Sequence, residues 1–229
     1  AEEHLLRGTL AHAFFEAIGR GMDAEKAKLL VMEAFERIQD VPQWQLRFKL
    51  DEFSALLDRA REWARQSEVN QELVGVEIPV GVRVREGVRI GGYMDRLLRD
   101  EEGNYLVVDL KTGKTQPAKK EAEDHVQLMT YQLALAHGAF DGHQVHDGEG
   151  MPRQGGVLVY PGATTKKIGE IWQSDKSPEA LEEFAALLPP LVEEMRGPRI
   201  TARTNKDCDK CPIRSICPVQ EEGRMTTDA

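Results

Sequence analysis

Apolar residues recur at helical spacing through the first third of the chain and at strand spacing after it. Leu5, Leu6, Leu10, Phe14 and Ile18 predict a helix over residues 2–19, ended by Gly19 and Gly21. Asp23 caps a second helix reaching about Gln39, with Ala27, Leu30, Val31, Ala34 and Phe35 on its apolar side. Pro42 and Trp44 mark a break, and Phe53, Leu56, Leu57 and Trp63 predict a third helix from about Asp51 to Ser67. The period then falls to two. Leu73–Val80 and Gly81–Arg85 read as strands, followed by a hairpin over Gly91–Lys111. Val126, Met129, Leu133 and Ala134 predict a helix over Glu121–His137; Gln127 and Tyr131 share another of its faces. Gly156–Tyr160 is a short apolar strand that Lys167–Trp172 can pair with, and Ser177-Pro178 opens a helix to about Arg196. The fold class that follows is α/β: a central mixed β-sheet flanked by helices, with an α-helical opening third.

The hairpin carries the first candidate chemistry. Ile90, Met94, Leu97 and Leu98 lead into the polar turn Asp100–Asn104, and Tyr105–Val108 lead out of it. A symmetric hairpin centred on Glu102 places Asp95 opposite Asp109. Side chains in that relation lie roughly 5 Å apart at Cβ, where like charges destabilise the pair unless a cation sits between them. Lys111 projects from the same face as Asp109, because strand side chains alternate. Two carboxylates and an ammonium are the parts of a metal-dependent hydrolytic site. Taken alone, Asp-x-Lys on a half-exposed strand reads as a solvated face with a weak ion pair rather than as a catalytic site.

Composition narrows the classes. The chain has 229 residues, 41% of them hydrophobic and 30% charged, enough for one domain with a sizeable core. No apolar run approaches a membrane span, so no membrane partner is expected. The N-terminus lacks a signal peptide, so a cytoplasmic location is expected; it also lacks a Met, which suggests a fragment of a longer chain. The net charge of −9 argues against purely electrostatic binding of nucleic acid, but not against a nuclease whose metal ions supply local positive charge. Cys208, Cys211 and Cys217 are the only cysteines; an odd, clustered set points to ligation rather than disulfides. Cys-x2-Cys suits zinc, completed by Asp207, Asp209 or a His, as readily as iron. The polar stretch from Gly138 to Gly155, with Asp141, His143, His146 and Asp147, reads as a loop more readily than as a metal site. Lys111-Thr112-Gly113-Lys114-Thr115 invites a phosphate-loop reading, but Val108 stands where the motif needs its first Gly, so no ATP site is expected here.

Five short motifs then occur in one order: Gly8-Thr9-x-x-His12, Glu77, Gly92-x-x-Asp95, Asp109-Leu110-Lys111 and Gln127-x-x-x-Tyr131. That order resembles the RecB-type nuclease branch of the PD-(D/E)XK superfamily, and the resemblance covers nearly the whole chain. The ending Cys-x2-Cys-x5-Cys-Pro resembles the iron–sulfur nucleases, most of all the C-terminal nuclease domains of actinobacterial helicase–nuclease subunits of the AdnA/AdnB kind, with the AddB kind more distant.

The resemblance implies a restriction-endonuclease-like core in a single nuclease domain over 1–229: helical opening 1–70, core 71–196 and cysteine-ligated tail 197–229. It implies catalysis by Asp95, Asp109 and Lys111, with Mg²⁺ or Mn²⁺ held by His12, Asp95, Asp109 and the Leu110 carbonyl. Gln127 and Tyr131 would contact DNA, and Glu77 and Glu16 would support the metal ligands. Cys208, Cys211 and Cys217 would hold a [4Fe–4S] cluster whose fourth Cys lies upstream of this chain. The implied partners are single-stranded DNA or unwound duplex ends, a helicase domain and a partner subunit, on the bacterial nucleoid. The implied activity is an exodeoxyribonuclease of double-strand break resection. A non-cleaving DNA-binding module and a stand-alone exonuclease are the other readings.

Overall fold

The computed structural model describes residues 2–116, 118–138, 150–163, 167–198 and 201–221. Two compact units divide the chain, Ala1–Ala185 and Ala186–Ala229. The first opens with three helices, α1 (Glu2–Gly19), α2 (Ala24–Arg37) and α3 (Gln43–Ser67). Asp23 caps α2 by accepting from the Lys26 N–H, as the sequence predicts. Helix α3 begins eight residues before the expected Asp51, with Pro42 as its N-cap, because Leu46 and Leu50 continue the inward stripe of Phe53 and Leu57.

Five strands follow in one sheet of order β1-β2-β3-β4-β5. They are β1 (Glu72–Arg85), β2 (Val88–Arg99), β3 (Tyr105–Leu110), β4 (Arg153–Tyr160) and β5 (Gly169–Gln173). All neighbours run antiparallel except β3 and β4, which are parallel and joined through α4 (Lys119–Glu123) and α5 (Val126–Ala136). The two strands expected at residues 73–85 are one, folded back on β2 through a tight turn at Glu86-Gly87, where Gly87 takes φ 71°.

Side chains on alternate positions sort the core into two faces. Leu98, Leu106, Val108, Leu110, Val157 and Val159 pack with Phe14, Phe15, Phe35, Phe53 and Leu57 of the three helices. On the other face, α5 lies against the sheet so closely that a Cβ on Gly156 would come 3.0 Å from Leu128. Leu5 and Leu30, expected on apolar faces, are exposed instead (73% and 50%); the burial of α1 begins at Ala11 and runs through Phe14 and Phe15. The end of α1 touches the sheet at Gly19, where a Cβ would stand 2.4 Å from Val76 Cγ1, so only glycine admits this approach.

The helix expected over 121–137 is broken at Asp124-His125. Fully buried Gln173 donates its side-chain amide to the carbonyls of Ala122 (2.9 Å), Glu123 (3.1 Å) and His125 (3.2 Å), which seats the chain in this broken conformation. The last expected helix also divides, into α6 (Pro178–Ala186) and α7 (Leu188–Arg196), with Pro189 and Pro190 in the first turn of α7. In the second unit, Cys208 and Cys211 bracket one 3-10 turn and Cys217 closes another. All three cysteines line one cavity of about 530 Å³, and the Asn205 N–H donates to Cys208 Sγ at 3.1 Å. Among the described residues, no helix is long and apolar enough to cross a membrane.

Candidate active site

Sheet register brings three carboxylates into one row. The pairs Val76↔Arg96 and Ile78↔Met94 bracket Glu77 and Asp95, which therefore lie side by side on β1 and β2. The β2–β3 register, carried one step beyond Arg96↔Val108, sets Asp95 beside Asp109. The expected juxtaposition is thus present, and Glu77 extends it to a third strand. Glu77 also sits at φ 46°, a left-handed conformation unfavourable for a side chain within a strand. Such backbone strain costs on the order of 1–3 kcal/mol and is tolerated where the surroundings fix it.

Helix α1 supplies an imidazole. His12 Nδ1 stands 3.3 Å from Asp95 Oδ2, and the same oxygen accepts the Leu110 N–H at 2.7 Å. What Leu110 presents to Asp95 is therefore its N–H. Arg96, next to Asp95, is wholly buried, with its guanidinium 5.0 Å over the Phe15 ring and paired with Glu68. Contacts from both residues fix β2 against α1. His12, Glu77 and Asp95 each offer a ligand atom, and those atoms lie within 4.8 Å of one another. Asp109 stands outside that group, its carboxylate directed to Lys111. Glu16, the other supporting candidate, lines the same cleft and accepts from Arg20 Nε at 2.8 Å.

Like charges gather in this row. Burial first, then the charge of Asp95, pushes the Asp109 carboxyl up to about 6 against a smaller opposing effect of Lys111. Glu77 is raised by burial and then by Asp95 and Glu16. His12 is raised by its hydrogen bond to Asp95, with burial opposing and the charges of Asp95, Asp109 and Glu77 adding. Lys111 Nζ comes within 2.7 Å of Asp109 Oδ2, an ion pair that offsets part of the cost of burying that carboxylate. The residues fit the metal that the sequence implied.

The ammonium of Lys111 is held from the other side. It donates to Gln127 Oε1 at 2.7 Å; Gln127 Nε2 donates to the Tyr131 hydroxyl at 3.1 Å; that hydroxyl donates to the Tyr93 carbonyl at 2.6 Å. The two α5 residues expected to meet DNA thus spend these hydrogen bonds on positioning Lys111 and tying α5 to β2. Tyr131 is only 9% exposed. Above the row opens a cleft of about 600 Å³, walled by His4, Gly8 and Thr9 of α1 and by Thr112 after β3.

Sequence reasoning gave Glu77 too small a part. Symmetry about the turn at Glu86-Gly87 would set Glu77 opposite Arg96; an irregularity between Arg83 and Arg85 shifts the register by one and brings it beside Asp95, and that shift has no local signal. The part of Thr112 in the cleft wall and the Tyr93 carbonyl had no local signal. Asp141, His143, His146 and Asp147 lie outside the described residues. The three cysteines fall in the second unit. Among the described residues they do not converge as closely as His12, Glu77 and Asp95 do.

A mixed sheet with flanking helices thus bears acidic residues across β1–β3 and a lysine just beyond β3. Over residues 1–218 the sequence matches the PD-(D/E)XK nuclease superfamily, and the chain belongs to it. No curated protein matches it significantly. Among solved structures, "Crystal structure of SSO0001" aligns with 77% of this chain and 73% of its own, at 19% identity and a TM-score of 0.37.

Proposed function

We propose that this chain is a metal-dependent deoxyribonuclease acting exonucleolytically, the nuclease module of an ATP-dependent helicase–nuclease of the AdnA/AdnB kind. Its substrate is then single-stranded DNA or unwound duplex ends, its setting double-strand break resection on the nucleoid in the cytoplasm, and its partners a helicase domain and a second subunit. The observation that carries this reading is the row Glu77–Asp95–Asp109, with His12 at one end and Lys111 at the other.

His12, Glu77, Asp95 and Asp109 are the residues that would hold Mg²⁺ or Mn²⁺, which supplies Lewis acidity to the scissile phosphate and an attacking water. Lys111, fixed by Gln127, keeps its ammonium beside Asp109, where it offsets negative charge gathering on the phosphate oxygens. Hydrolysis joins the water oxygen to phosphorus, breaks the phosphorus–oxygen ester bond, and leaves a proton on the departing sugar oxygen. Cys208, Cys211 and Cys217, lining one cavity, are proposed as thiolate ligands of a [4Fe–4S] cluster that staples the second unit.

One purified preparation tests both parts. Wild-type protein is expected to degrade linear single-stranded DNA in Mg²⁺ and to contain iron with acid-labile sulfide. Asp109→Ala is expected to fold, keep its iron and lose cleavage. Undiminished cleavage by Asp109→Ala contradicts the site, and zinc in place of iron contradicts the cluster.

A further inference from the structure

The first turns of α3 expose what a soluble helix ordinarily buries. Trp44 and Phe48 are 74% and 64% exposed, while Leu46 and Leu50 on the same stretch turn inward. Trp44 and Phe48 are one helical turn apart and share a face. Arg47 sits between them in sequence, exposed, and makes no ion pair or hydrogen bond among the described residues. Two aromatic rings and an unpaired guanidinium therefore stand together in solvent.

This stripe leads to the active site. Glu52, four residues beyond Phe48, pairs with Lys114, three residues beyond Lys111. Leu56, a turn further, meets the same loop where Gly162 lies under it: a Cβ there would come 2.9 Å from the Thr112 carbonyl and 3.4 Å from Leu56 Cδ1. Thr112 in turn walls the cleft over Glu77 and Asp95. At 1.5 Å per residue, Trp44 stands about 12 Å along the helix from Glu52. The helix that carries the aromatic pair is thus tied, through Glu52 and Lys114, to the loop 112–114 that walls the cleft.

We infer that Trp44, Arg47 and Phe48 form a stacking platform for an unpaired nucleic-acid strand on its way to the cleft. The inference rests on the nuclease reading and extends it to the grip on substrate. Every base offers a π-face to an aromatic side chain once it is unpaired, whereas a duplex hides those faces. With 39 acidic residues against 30 lysines and arginines the chain repels phosphates on balance, so stacking suits it better than an electrostatic groove. Arg47 adds one phosphate or cation–π partner at the right place. A protein partner is the other occupant two aromatic rings would suit; the tie of this helix to the loop that walls the cleft favours the strand.

The test is the double substitution Trp44→Ala with Phe48→Ala, both at exposed positions. Binding of fluorescein-labelled oligothymidylate and of a duplex is measured in EDTA, and hydrolysis of bis(p-nitrophenyl) phosphate in Mn²⁺. Oligothymidylate binding should weaken about tenfold to a hundredfold, with duplex binding and small-ester hydrolysis unchanged. Trp44→Phe should retain most of the affinity, and Arg47→Ala should lower the salt slope by about one. Unchanged oligothymidylate affinity in the double variant overturns the platform and leaves the face to a protein partner, while the nuclease reading stands. A wild type that hydrolyses neither DNA nor the small ester overturns the nuclease reading instead. A loss of oligothymidylate binding in the double variant then still supports the platform.

Discussion

Asp109 is 2% exposed, has Asp95 at its side, and is pushed up to about 6 by burial and that neighbour. An acid whose folded value exceeds its unfolded one binds protons more strongly when folded. Stability is then highest below about pH 4 for this group and is lost as pH rises from there through about 6. The loss at neutral pH is on the order of 2–3 kcal/mol. His12 acts in the same sense, since its raised value favours the folded state only while the imidazole is charged. Metal-free protein should therefore melt at lower temperature at pH 8 than at pH 5, and Mg²⁺ should restore more at pH 8. Asp109→Asn should raise the metal-free melting temperature at pH 8 by several degrees and remove the Mg²⁺ response. Calorimetric melts at both pH values check this; equal melting of wild type and variant at pH 8 contradicts it. The Asp95–Asp109 pair was legible in sequence because a short symmetric hairpin fixes its own register. The place of Glu77 beside Asp95 was not legible, because it depends on the register shift between Arg83 and Arg85, and its left-handed backbone has no sequence signature in a non-glycine residue.

At the scale of elements, Lys111 is positioned from α5, and α5 is positioned by the joint that ends α4. Gln132 and Gln173, both fully buried, form that joint: Gln132 Nε2 donates to Gln173 Oε1 at 2.8 Å and to the Ser174 carbonyl at 3.0 Å. The Lys176 N–H closes it by donating to Gln132 Oε1 at 3.0 Å. Replacing Gln173 by Leu takes from the Glu123 carbonyl its side-chain donor and from Gln132 Nε2 one of its two acceptors, while the Ala122 and His125 carbonyls keep the His125 and Met129 N–H groups. Gln173→Leu should cost about 2–4 kcal/mol of stability in urea unfolding. A loss below about 1 kcal/mol would show that the joint is not what seats the break. Local pattern could not reveal this break, since the amide that seats it lies some fifty residues downstream. Helices bounded by their own caps, α1 and α2, were legible. Those cut by tertiary contacts or set by a neighbour were not.

Taken as a whole, the first unit gathers one helix, three strands and a crossover helix around a single charged row. The order of motifs carried the overall architecture, because each lies where two elements meet: His12 over Asp95, Lys111 against Gln127. What the chain as a whole must do is gather negative charge and hold it until a cation arrives. Calorimetric titration of Mn²⁺ into wild type, Asp95→Ala and Lys111→Ala, with DNA cleavage followed on the same samples, tests that directly. The account predicts saturable binding in the wild type, its loss in Asp95→Ala, and its retention in Lys111→Ala with cleavage abolished. Binding that survives unchanged in Asp95→Ala, or full cleavage by Lys111→Ala, would contradict it.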